Sequence, residues 1–248
     1  MSKVIIQNIK SKITAFYHGE TIELNERDKR EINEYWEKLI NDGRPLIRGA
    51  VFTILDISNS HNELNINLSL TDYAHYMYTI NNPGRLTREC MVVFTSALVE
   101  TVDGYLVIGE MGSHTSTPRR LQCPGGGIDK SDIKGRIVDF EGNIVSELAE
   151  ELGIEQGIDY HKVIPKYIKT GGDNNFVAII FYVNISLTKD ELQRRFEILK
   201  SSKQSEFQSL QFIEKKKCAD FSKINKKPVV DYLYPLLYKV QEDASREG

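Results

Sequence analysis

Hydrophobic and polar positions alternate along this chain in blocks that predict strands and helices in mixed order. Short apolar runs at Val4–Ile6 and Ile13–Tyr17 suit strands. From Asn25 to Asn41 the period changes to that of a helix. Ile32, Tyr35, Trp36, Leu39 and Ile40 fall on one side, charges fall on the other, and Gly43 follows the end. The run from Leu46 to Ile57 and the alternating run from Glu63 to Leu70 read as a hairpin. A short aromatic helix follows, capped by Thr71 or Asp72, whose Tyr73, Tyr76 and Tyr78 either pack against the rest of the chain or line a substrate entrance. Pro83 and Gly84 mark a seam. Beyond it, Met91–Glu100 and Gly104–Met111 read as adjacent strands, and Arg119–Cys123 as a short one feeding Pro124. His161–Lys169 and Phe176–Ile185 are two more strands, and a helix is expected from Thr188 to about Ser201. The segment from Ser209 to Glu214 reads as a last strand, Lys215–Lys217 as a solvated loop, and Val229–Val240 as a final helix before a fraying tail.

One stretch departs from this ordinary patterning. Cys123 and Pro124 lead into Gly125, Gly126 and Gly127, and after a charged segment over 130–140 comes a helical pattern closed by Gly153. Ile144, Leu148 and Leu152 make its apolar stripe, while Glu147, Glu150 and Glu151 share a second face. Like charges at this spacing repel one another, and a hard divalent cation such as Mg²⁺ or Mn²⁺ would relieve that cost. The glycines leave room for a phosphate and let backbone approach it. Each half has an ordinary reading too. Acidic triplets are common on solvated helix faces, and a Pro-Gly-Gly-Gly run is usually a turn. Asn143 is a candidate cap for the helix, and the charged segment reads as an exposed loop or one irregular turn.

Together, the glycine run and Glu147-Leu-Ala-Glu150-Glu151-Leu-Gly153-Ile154 resemble the signature of the Nudix hydrolases, with Gly126 at the family's first glycine. Two departures stand out. Ser146 occupies the place of an arginine that usually orients a metal-binding glutamate. The span from Gly126 to Ser146 is also longer than the family's, so that its first glutamate has only Asp139 and Glu141 as near counterparts. Pro45, Gly49, Phe52, Leu70, Thr71, Tyr73 and Tyr76 are loosely similar to the N-terminal part of the relatives that split UDP-glucose and UDP-galactose, a subgroup with an interrupted signature.

The resemblance implies an α/β (α+β sandwich) fold, a mixed sheet between helices. Residues 1–85 would form an N-terminal α+β extension and 86–248 the hydrolase domain. It implies metal-dependent hydrolysis of a nucleoside diphosphate linked to another moiety, a nucleotide sugar such as UDP-glucose first. ADP-ribose or a dinucleotide is the alternative substrate, and an inactive nucleotide-binding or regulatory protein the third reading. Glu147, Glu150 and Glu151 would hold Mg²⁺ (or Mn²⁺), and Gly125–Gly127 would shape the phosphate pocket. Arg119 and Arg120 would meet the diphosphate or simply flank a strand in solvent. Glu206 or Glu151 would take the water's proton. Asp173 is either a further acid near the water or a turn former, and Arg136 or a lysine of the insertion could replace the absent arginine. A homodimer is a candidate assembly.

Composition narrows this only a little. With 248 residues, 40% hydrophobic and 27% charged, the chain can bury a full core. A net charge of -3 argues against a general nucleic-acid binder. Three cysteines without paired spacing, Cys90, Cys123 and Cys218, fit a reducing compartment, and no apolar run reaches membrane-spanning length, so a cytoplasmic location is expected. Cys123 has no histidine near it in sequence and reads as a small buried filler.

Overall fold

The apolar runs pair into two sheets in a computed structural model, which describes residues 3–60, 63–113, 115, 118–172, 174–202 and 205–247. The larger sheet contains β1 (Ile5–Asn8), β5 (Val93–Glu100), β6 (Tyr105–Met111), β7 (Leu121–Gln122), β10 (Ile164–Thr170), β11 (Val177–Asn184) and β12 (Phe207–Glu214). Its order is β1-β10-β11-β5-β6-β12, with β7 beside β6. The pairing of β11 with β5 is parallel and the other ladders are antiparallel, so the sheet is mixed. Its central strands are buried on both faces, as their continuous apolar sequences require.

The second sheet runs β3-β4-β2-β9-β8, from β2 (Lys12–Thr21), β3 (Ala50–Ser60), β4 (Glu63–Asp72), β8 (Ile133–Lys134) and β9 (Ile137–Val138). Two helices belong with its polypeptide: α1 (Glu26–Asn41), capped by Asn25, and α2 (Tyr73–Asn81), capped by Asp72. They share a small core of Ile32, Trp36, Leu39, Ala74, Met77, Tyr78 and Leu86.

Helices cover both faces of the large sheet. On one side α3 (Phe140–Leu152) and α4 (Lys189–Ser202) bury Ile144, Leu148, Leu152, Leu192 and Phe196 against Ala97, Val107 and Ile179, in a cluster that also takes Ala15, Ile66 and Leu68 from the second sheet. On the other side α6 (Leu233–Glu247) buries Leu233, Leu236, Leu237 and Val240 against Leu98, Ile108 and Ile180. A short α5 (Phe221–Ile224) precedes it. The molecule is therefore α+β, with a mixed sheet between helices, as expected.

Strand exchange ties the early and late parts of the chain together. β1 pairs with β10 of the large sheet, while β9 from the inserted segment pairs with β2 of the second. The inserted segment is thus more ordered than a loop, with one 3-10 turn at Lys130–Asp132 followed by the β8–β9 hairpin. The lysine run is also structured. Lys215–Asp220 is a 3-10 segment, and Lys215 donates to Glu100 and Tyr182. The last helix starts later than its apolar pattern suggested and absorbs the polar tail through Glu247, helped by an Arg246–Glu242 pair at i,i+4.

The tyrosines of α2 pack rather than open a pocket. Trp36 meets the edge of Tyr73, Tyr73 stacks on Tyr76, and Tyr76 stacks on Phe176 beside β11. Tyr78 donates to Glu31 of α1 at 2.6 Å.

Candidate active site

Helix α3 carries the three glutamates, and its ends are set by a side-chain cap and a glycine stop. Asp139, not Asn143, is the cap, accepting from the Gly142 amide at 2.9 Å. Gly153 closes the helix in the left-handed conformation at φ 67°. The apolar stripe of Ile144, Leu148 and Leu152 is fully buried and holds the helix to the large sheet.

The glycine run lies along β5 as an irregular strand. Thr95 donates its amide to the Gly126 carbonyl at 3.0 Å, and Ala97 donates to Pro124 at 2.7 Å. Gly125 sits at φ 145°, and a Cβ there would strike the Thr95 carbonyl oxygen. A Cβ on Gly126 would strike the Glu147 carboxylate. Both glycines are therefore needed so that loop, strand and helix can approach this closely.

Glu151 is 3% exposed. One carboxylate oxygen accepts the Gly125 amide at 2.7 Å, and the other, also buried, has no hydrogen-bond partner. Burial raises this carboxyl well above the usual range; Glu147, Glu206 and Glu150 add repulsion, and the Gly125 amide opposes the shift. Glu147 is pushed up to about 7, first by burial and then by Glu150, Glu206, Asp132 and Asp129. Glu150 stays on the exposed side of the helix.

Glu206 lies just before β12, exposed, with its carbonyl accepting the Gly112 amide at 2.7 Å. Its charge acts on both Glu147 and Glu151, so a residue about sixty positions later in sequence shares their neighbourhood. Arg119 and Arg120 are exposed just before β7. Arg119 holds φ 60°, and backbone bonds between Met111 and both arginines pin the turn. Ser146, at the position of the absent arginine, turns its hydroxyl back to the Gly142 carbonyl of its own helix. Arg136 is exposed in the β8–β9 hairpin, and Lys134 pairs with Asp139. Asp173 lies outside the described residues. Cys123 is fully buried and its thiol is pushed up to about 12 by that burial, which suits a filler and not a nucleophile.

Asp132 of this neighbourhood escaped the sequence reading, and Asn143 was expected only as a cap. Asp132 of the insertion and the buried Asn143 bond each other, and Asn143 also reaches the glycine loop. The only hint in sequence was an asparagine on the same helical face as Glu147, one turn earlier.

Among the described residues no three acidic, histidine or cysteine side chains stand together as a ready-made cation cage. The donor chemistry nevertheless fits a hard cation. The groups are all oxygen donors, one buried Glu151 carboxylate oxygen lacks a hydrogen-bond partner, and Glu150, Glu206, Asp132 and Asp129 crowd negative charge on Glu147.

No family model matches this sequence, and no curated protein matches it either. Among solved structures the chain is similar to the MutT protein of Methanosarcina mazei, at 14% identity and a TM-score of 0.39, over 62% of this chain and 95% of that one. It is similar to the NUDIX domain of Shewanella oneidensis NrtR, solved with ADP ribose, at 11% identity and a TM-score of 0.40, over 68% and 97%. A mutT/nudix family protein of Listeria innocua aligns at 12% identity with a TM-score of 0.41, over 64% of this chain and 98% of that one.

Proposed function

We propose that this chain is a Nudix-type hydrolase that cleaves the diphosphate linkage of a nucleoside diphosphate-X substrate, with a nucleotide sugar such as UDP-glucose as the first candidate. The observation that carries the reading is Glu151, a buried carboxylate with one oxygen on the Gly125 amide and the other unpartnered, beside a second raised carboxyl at Glu147. Burying such groups with no counter-charge costs stability, and a site that binds a cation recovers it.

In this reading Glu147, Glu150 and Glu151 would hold Mg²⁺ (or Mn²⁺), which when bound would supply charge neutralisation for the diphosphate and a more acidic water. Gly125–Gly127 keep side chains out of the phosphate space, and Gly126 lets the Glu147 carboxylate lie against the loop. Glu206, whose charge acts on Glu147 and Glu151, is the candidate to receive the water's proton, with Glu151 as the other candidate base. Arg119 and Arg120, exposed just before β7, would complement the substrate's negative charge. Residues 1–85 are proposed as an extension and 86–248 as the hydrolase domain, with strands exchanged between them. A cytoplasmic location and a homodimer belong to the same proposal. Among the described residues no helix is long and apolar enough to cross a membrane.

Ser146 favours a second reading, a nucleotide-binding or regulatory protein, because its hydroxyl bonds its own helix and orients no carboxylate. A panel of UDP-sugars, ADP-ribose and dinucleoside polyphosphates with Mg²⁺ or Mn²⁺ separates the two. Released nucleoside monophosphate is detected with a coupled phosphatase. Metal-dependent turnover lost in Glu150→Gln and Glu151→Gln supports the hydrolase. Ligand-induced thermal shifts from a folded protein that turns over nothing support the second reading.

A further inference from the structure

Asn143 is buried in the first half of α3, yet all three of its hydrogen-bonding directions used here leave the helix. Its amide donates to the Gly127 carbonyl and to the Asp132 carboxylate, each at 3.1 Å, and its oxygen accepts from the Thr95 hydroxyl of β5. Four separate segments meet at one side chain: the glycine loop, the inserted segment, strand β5 and the glutamate helix. Asn143 precedes Glu147 by four residues and so lies on the same helical face. Asp132 is itself held, accepting the Asp129 amide at 2.8 Å in a capping box. Its segment is anchored at the far end, where β9 pairs with β2 and Tyr17 donates to the Arg136 carbonyl at 2.9 Å.

We infer that Asn143 is a positioning residue that clamps the glycine loop to the glutamate helix, and that Asp132 makes the inserted segment a working part of this site. Ser146 orients nothing outside its helix, whereas the Asn143 clamp keeps Gly126 beneath Glu147 and Gly125 on Glu151. A buried amide bonded on both sides is a rigid link, because losing it leaves the buried Thr95 hydroxyl without this acceptor and frees the Gly127 carbonyl and Asp132 carboxylate from the helix. The clamp is a statement about structure, while its consequence for turnover rests on the hydrolase reading.

The test uses the full chain with Asp132→Ala and Asn143→Ala, each checked for folding by circular dichroism. In metal-free protein the amides of residues 125–129 exchange with deuterium on the order of 10-fold faster in both variants, since they lose the link that holds the loop. With Mn²⁺ alone, affinity measured calorimetrically falls about 10- to 100-fold, the range for groups that hold ligands in place. With a turned-over substrate, kcat falls by a similar factor while KM changes by less than about 3-fold. A purely structural role would lower the melting temperature and leave loop exchange, Mn²⁺ affinity and kcat of the folded protein unchanged, and that result overturns the inference. If Asn143→Ala does not fold, Asp132→Ala, altered at a partly exposed position, decides alone. A wild type that binds no metal and hydrolyses nothing would sink the hydrolase reading, and loop exchange would still decide the clamp.

Discussion

The charge crowding around Glu147 has a thermodynamic cost that can be measured without any substrate. Its carboxyl is raised from 4.5 to about 7, chiefly by burial, then by Glu150, Glu206, Asp132 and Asp129. The folded state therefore holds this proton more tightly than the unfolded chain does. Stability from the group is fully present below about pH 4.5, is lost as pH rises through 7, and the cost is complete by about pH 8. At about 1.4 kcal/mol per pH unit the separation amounts to about 3 kcal/mol. Glu147 is partly open to solvent, which reduces this to roughly 1–2 kcal/mol. Glu147→Gln removes the titration. Urea unfolding with a chelator present should then find the variant more stable than wild type by roughly 1–2 kcal/mol at pH 8 and equal to it near pH 4.5. In a thermal scan this is a rise of roughly 3–8 °C at pH 8. Adding Mg²⁺ or Mn²⁺ should stabilise wild type at pH 8 and shrink the difference, because a bound cation supplies what the glutamine substitution removed. Parallel pH profiles for the two proteins would refute the reasoning, since burial and like charge would then impose no cost on Glu147.

His75 should show the opposite slope. Burial lowers its pKa from 6.5 against the opposing pull of the Arg88 carbonyl, and its ring bonds Thr71 and that carbonyl. The ring stays neutral in the fold, so its contribution is present above about pH 6.5 and lost as pH falls; His75→Gln should flatten the acid limb of urea stability between pH 7 and 5. Gly125→Ala should destabilise by about 2–4 kcal/mol in urea, combining a backbone at φ 145° with a clash on the Thr95 carbonyl. Asp28 is fully buried and accepts the amides of Thr87 and Arg88, so Asp28→Ala should cost about 2–3 kcal/mol in urea unfolding.

What could be read from the sequence, and what could not, follows from how far each interaction reaches along the chain. The α1 helix, the β3–β4 hairpin and the Gly153 stop depend on neighbours within a few residues, so period and punctuation were enough to locate them. The same holds for the spacing that sets Glu147 and Glu151 beside one another on α3. The glycine loop needed one more step, because its requirement for glycine arises from Thr95 and Glu147, about thirty residues before it and twenty after. Asn143 was assigned the wrong duty for a related reason. Asparagine near a helix start is locally a cap, and only the fold shows that Asp139 takes that position and frees Asn143 to bond β5, Gly127 and Asp132. The insertion's mixed charges suggested solvent, but its two short strands gain stability only from the edge that β2 offers, more than a hundred residues earlier. The long charged segment was visible as an irregularity, and in the folded chain it reaches α3 through Asn143, while Ser146 bonds only its own helix. The segment that lengthens the signature also delivers Asp132 to the side chain that holds loop and helix together. A chain that kept the insertion but lost Asn143 would lack that link, and its glycine loop would be held to α3 by the Gly125–Glu151 bond and to β5 by the Thr95 and Ala97 backbone bonds.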